Sequence, residues 1–90
     1  MAFIWSRRKA RENLRKHGVS FEHAAEVFED PLAATGADPE HSDGENRWLT
    51  FGVSRDGQLL VVAHLEQNGH IRIISARAAT THERKIYEEG

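Results

Sequence analysis

The stretch WLTFGVSRDGQLLVVAHLEQNGHIRIISAR, residues 48–77, restricts the possible folds of this chain more than any other. Trp48–Val53 alternates, with Leu49, Phe51 and Val53 on one side, which is the period of a strand with one buried face. Residues 58–66 hold the longest apolar run, LLVVAHL, which suits a strand at the centre of a sheet. Residues 70–77 form a third strand. Asp56-Gly57 separates the first pair and Asn68-Gly69 the second. Both dipeptides supply the positive φ angles that tight hairpins need. Strands joined by such short turns run antiparallel, because a parallel pair needs a long crossover.

The segments around this meander read as follows. AFIW (2–5) is short, aromatic and β-branched, and reads as a first strand. SRRKARENLRKHG (6–18) reads as a helix capped by Ser6 and stopped by Gly18. Its apolar stripe is thin: Ala10 and Leu14, with Asn13 and His17 beside them. VSFEHAAEVFEDP (19–31) reads as a second helix, with Ser20 as cap and Phe21, Ala24, Ala25 and Phe28 on one face. Pro31 disfavours helical geometry at Asp30 and ends it. Residues 32–45 are turn-rich, with room for one short strand near Ala33–Thr35. ATTHERKIYEE (79–89) reads as a final helix opened by a capping box of Thr80 and Glu83. The expected order is β–α–α–(β)–β–β–β–α. It predicts one α+β domain over 1–90: two N-terminal helices, an antiparallel sheet of three or four strands, and a C-terminal helix, with helices over one face.

Composition narrows the chemistry. There is no cysteine, so disulfides, zinc–thiolate sites and thiol nucleophiles are excluded. No apolar run reaches the ~18 residues of a membrane span. Residues 1–16 place apolar side chains before the charges, the reverse of a secretion signal, so a cytoplasmic protein is expected. The net charge of −2 conceals three blocks. Residues 1–18 carry six Lys/Arg and one Glu, residues 19–45 eight Asp/Glu and no Lys/Arg, and residues 46–90 six Lys/Arg and five Asp/Glu. Basic and acidic blocks side by side suit surfaces with different partners, although a helix with a solvated basic face explains residues 7–16 equally well.

Three segments, KARENLRKHGVSFEHAAEVFEDP (9–31), EHSDGENRWLTFGVS (40–54) and IRIISARAATTHERKIYE (71–88), together resemble the BrnT family. Its members are small toxins of type II toxin–antitoxin modules, and the resemblance runs from Trp5 to Glu88. It implies a RelE-like ribonuclease fold and RNA cleavage that inhibits translation. It also implies neutralisation by a BrnA-type antitoxin with a ribbon-helix-helix domain. Operator DNA would then be reached only through that antitoxin. Two positions depart from the family pattern. Ser6 stands where members often carry Asp, and it can still cap the helix. Gln67 stands where many carry Arg, which implies weaker or differently specific cleavage if that Arg touches RNA.

Metal-free RNA cleavage uses the ribose 2′-OH as nucleophile. It needs a base, an acid and cations around the phosphorane. His41, Glu45 and Arg47 cluster at a loop–strand junction. Glu45 and Arg47 are two apart and point the same way in an extended segment. They can serve as base and phosphate clamp, or form a surface ion pair worth ~0–1 kcal/mol. Arg72 and Arg77, five apart on a regular strand, are expected on opposite faces. Arg77 is the expected main phosphate ligand in the SAR segment of the resemblance; pairing with Glu83 is its competing role. His64 is an acid/base candidate if it faces an open side of the sheet, and a hydrogen-bonded core group otherwise. The catalytic set is therefore His41, Glu45, Arg47, His64 and Arg77. Arg72, Arg84 and Tyr87 are the candidate substrate contacts, the last two through the ER…Y pattern of the resemblance. Tyr87 can stack on a base or anchor the helix. His41, Asp43 and Glu45 have the spacing of ligands on one side of a strand, but no second His pair lies nearby. Neither metal nor cofactor is expected.

Two function classes fit. One is a metal-independent endoribonuclease toxin. The other is a catalytically weak binding module that acts mainly as co-repressor partner of a DNA-binding antitoxin. A stand-alone nucleic-acid-binding domain fits less well, since net charge is −2 and a generic binder carries a broad basic excess.

Overall fold

The computed structural model describes residues 2–40 and 46–89. Phe3–Ile4 form β1, Arg7–His17 α1 and Phe21–Ala25 α2, which tightens into a 3-10 turn over Glu26–Glu29. Ala34–Ala37 form β2, Trp48–Val53 β3, Leu59–Gln67 β4, His70–Ala78 β5 and Thr81–Glu89 α3. Short polar side chains start the helices. Ser6 Oγ accepts from the Lys9 amide at 3.3 Å and Ser20 Oγ from the His23 amide at 3.0 Å. Thr80 and Glu83 form the reciprocal capping box at 3.1 and 2.9 Å. Gly18 ends α1 in the left-handed region at φ 72°. Asn68 and Gly69, at φ 53° and 79°, make the turn between β4 and β5.

The sheet order is β1-β5-β4-β3-β2. β2 to β5 pair antiparallel, while β1 joins β5 in parallel through Phe3↔Ile71 and Ile4↔Arg72. The sheet therefore has five strands rather than three or four, and one pairing is parallel. Hairpin signals report sequence neighbours; they carry no information on a two-residue strand that finds its partner across most of the chain.

Val19, Phe21, Ala24 and Val27 of the helical layer bury against Leu60, Val62, Ile73 and Ala76 of the sheet. α3 lies beside the other face, where Ile86 and Tyr87 line a groove with Phe51. Helices thus flank both faces rather than one. The 3-10 turn seats on β3 at Gly52. A Cβ there would stand 2.9 Å from the Val27 carbonyl oxygen and 3.0 Å from Val27 Cβ. Gly52→Ala should cost about 1–3 kcal/mol by overpacking, read as a lower urea midpoint with unchanged slope. A neutral result would mean that the turn moves aside freely.

A bulge interrupts the central hairpin. Ala63 pairs with Ser75 but His64 pairs with Ile73, so Ile74 is the extra residue.

Candidate functional site

The bulge decides which side chains meet. Arg77 pairs with Val61 and Arg72 with Leu65. Val61 and Leu65 are four apart on β4, so they share a face. Arg72 and Arg77 therefore lie on the same face, contrary to the five-residue count of a regular strand, because Ile74 resets the alternation. Arg47 joins them. Its carbonyl accepts the Asp38 amide at 3.0 Å, which carries the strand geometry one residue back from β3. Arg47 lines a cavity with Lys9, Leu65, Gln67, Arg72 and Ile74. In sequence Lys9 belongs to a solvated basic helix face, and no local spacing reveals that the topology brings it to the sheet arginines.

Arg77 is held by a forked pair. Its two terminal nitrogens donate to the Glu83 oxygens at 2.7 and 2.8 Å. Those hydrogen bonds raise the Arg77 pKa, and the Glu40 carboxylate adds to the effect. The same bonds, with help from the Thr80 amide, hold Glu83 down to about 2. The pair stays ionised at neutral pH and fixes the guanidinium at the junction of β5 and α3. With the Arg77 side chain 41 % exposed, one edge of the group remains open to a ligand.

His64 lies on the face of the sheet opposite Arg72 and Arg77 and lines a cavity of about 390 Å³ with Phe28, Thr35, Trp48 and His70. It pairs with Trp48 and Ile73, on the helix-covered face, and is 7 % exposed. Its Nε2 lies 2.7 Å from Thr50 Oγ1, which lies 2.7 Å from Thr35 Oγ1. The Phe28 ring meets the imidazole edge-on with centroids 5.0 Å apart. The sheet separates it from Arg72 and Arg77, so it does not share a groove with them. Burial pushes its pKa down from 6.5 to about 4. Between pH 6.5 and 4 the unfolded chain takes up a proton that the folded chain refuses. Stability is therefore constant above that window and falls on acidification through it, by up to about 3 kcal/mol. His64→Gln should flatten this part of a pH–urea profile; an unchanged profile would locate the acid sensitivity elsewhere.

On α3, the Tyr87 hydroxyl donates to Asp30 Oδ2 at 2.5 Å. That bond, reinforced by desolvation, pushes Tyr87 up to about 12, and it lowers Asp30. Asp30 also accepts from the Val53 and Leu32 amides at 2.9 Å, so Tyr87 ties α3 to the end of the 3-10 turn. Arg84 is exposed on the same helix. His41 and Glu45, and with them the Glu45–Arg47 pairing, lie outside the described residues. Among the described residues no group of three or more His, Cys, Asp or Glu could hold a metal ion. Among them, too, no helix is long and apolar enough to cross a membrane.

Comparison with known proteins agrees with this architecture. The family model described as "Ribonuclease toxin, BrnT, of type II toxin-antitoxin system" matches residues 5–83. The 1.1 Å crystal structure of the Brucella abortus ribonuclease toxin, BrnT, superposes with a TM-score of 0.71 at 23% sequence identity. The match covers 90% of this chain and 99% of that one, and at this identity it speaks for the fold. No curated protein matches the chain. A family match over nearly the whole length, on a fold shared with a solved member, places the chain in the BrnT family of type II toxins.

Proposed function

We propose that the whole chain, 1–90, acts as a single RelE-like ribonuclease domain, the toxin of a type II module. It cleaves RNA in the cytoplasm by metal-independent attack of the ribose 2′-OH and so inhibits translation. The observation that carries this reading is the convergence of Arg47, Arg72 and Arg77 on one face of the sheet. Guanidinium groups fixed along a sheet face suit a phosphate backbone, and one beside the reacting phosphate stabilises the extra charge of the phosphorane. Arg77 is the central phosphate ligand in this reading. His41 and Glu45 supply the base and the acid from the segment leading into β3. Arg72 and Arg84 add substrate contacts, and Tyr87 holds α3 in place beside the groove. A BrnA-type ribbon-helix-helix antitoxin neutralises the toxin, and operator DNA is contacted through that antitoxin alone.

Induction of this chain by itself in a bacterial host tests the reading. Growth arrest with decay of total RNA is expected. Normal growth with intact RNA, from soluble and folded protein, would contradict it. One observation favours the second reading, a catalytically weak partner of a DNA-binding antitoxin: the Arg77 fork is already filled by Glu83. Gln67, uncharged beside Arg47 and Arg72, points the same way. A neighbouring ribbon-helix-helix gene without growth arrest on induction would select it.

A further inference from the structure

We propose that Lys9, Arg47 and Arg72 form a second phosphate subsite, separate from Arg77, which holds the RNA strand away from the reacting phosphate. The proposal rests on the ribonuclease reading above.

The three cations line a cavity of about 290 Å³ whose other walls are Leu65, Gln67 and Ile74. Among the described residues, no carboxylate lines it. Arg47 and Arg72 flank Leu65 across adjacent strands, so their backbones stand about 10 Å apart. Lys9 closes the third side from the first turn of α1, a turn without an acidic residue. Lys9 and Arg72 are like charges facing one cavity, and an anion between them offsets their repulsion.

The pattern of ion pairs points the same way. Arg8, Arg55 and Arg77 each have a carboxylate partner. Among the described residues, Lys9 and Arg72 make no ion pair. These two cations share the cavity, and Arg72 lies on the same sheet face as Arg77. Val61 and Leu65, the partners of Arg77 and Arg72, are four residues apart on an extended strand, about 13 Å. That exceeds the reach of one phosphate group and suits a strand of several nucleotides laid along β4. Contacts from these cations to phosphate carry no sequence information, so the subsite's affinity is largely independent of base sequence.

The test uses the full chain and a single-stranded RNA with 2′-O-methyl groups, which block 2′-OH attack. Affinity is followed across a salt series for wild type, Lys9→Ala and Lys9→Arg. Lys9→Ala should weaken binding about five- to tenfold for any sequence and lower the slope of log K against log[salt] by about 0.7. Lys9→Arg should keep both. An unchanged affinity and slope in Lys9→Ala, while Arg77→Ala loses binding, would overturn the subsite and leave the nuclease reading standing. If wild type binds no RNA, the nuclease reading fails and takes the RNA assignment with it. The anion site is read independently by NMR titration with inorganic pyrophosphate. Saturable shifts of the Lys9 and Arg72 side-chain resonances support it, and their absence overturns it. Lys9 is exposed and its amide, not its side chain, meets the Ser6 cap, so the variants should fold normally.

Discussion

Asn13→Ala is expected to lower the unfolding free energy by about 3 kcal/mol, a large part of the ~5–15 kcal/mol that holds a domain together. Asn13 is 6 % exposed although it sits on a helix rich in solvated charge. Its Nδ2 donates to the Val19 and Ala76 carbonyls, both at 2.9 Å, and its Oδ1 accepts the Ala76 amide at 3.0 Å. β1 pairs with β5 at Ile71 and Arg72 only. The β5 backbone at Ala76 thus lies past the end of β1, and the Asn13 amide takes the place of a neighbouring strand. Truncation to Ala leaves buried backbone groups without partners, and their desolvation is the source of the cost. The urea midpoint should fall with an unchanged slope. Asn13→Asp should fail to rescue, because a carboxylate can accept from the Ala76 amide but cannot donate to either carbonyl. Leu14→Ala, at an exposed neighbouring position, should change stability by less than about 1 kcal/mol. A loss below about 1 kcal/mol in Asn13→Ala would show that α1 is held by its apolar contacts instead.

The second large effect is at Arg77. Arg77→Ala should lower RNA cleavage by the purified protein about 100- to 1000-fold, the usual cost of removing a fixed donor from a developing oxyanion. Arg77→Lys should recover only part, since an ammonium cannot reproduce the fork. The Glu83 pair gives the variant a structural cost as well, so folding has to be followed beside activity. Glu83→Gln separates the two roles. It weakens the pair while keeping the guanidinium, and should raise RNA affinity if Glu83 competes with phosphate. Equal losses of cleavage in Arg77→Ala and Glu83→Gln would show that the pair matters for folding alone.

Much of this fold is legible in the sequence, and the residues show why. Ser6, Ser20, Gly18 and the Thr80–Glu83 box act over three or four residues, so local spacing identifies them. The Asn68-Gly69 turn does the same for the central hairpin. The spacing of residues 19–31 predicts one helix; the observed segment is α2 followed by the 3-10 turn, with Pro31 beyond its end as expected. What escapes depends on distant chain or on one inserted residue. β1 finds β5 from the far end of the chain, and Asn13 looks like a filler beside a thin stripe. The bulge at Ile74 has no sequence signal of its own, yet it moves Arg72 onto the face of Arg77. His64 goes the other way: both faces of β4 are apolar, so alternation cannot say which one it shares.

The most direct measurement is cleavage of a labelled single-stranded RNA by purified wild type and Arg77→Ala, each with excess chelator, with the product ends identified. Cleavage that survives the chelator, leaves 2′,3′-cyclic phosphate ends and disappears in folded Arg77→Ala is the expected result. Cleavage that the chelator stops, or that folded Arg77→Ala retains in full, would contradict a metal-independent nuclease built on the arginine face of the sheet.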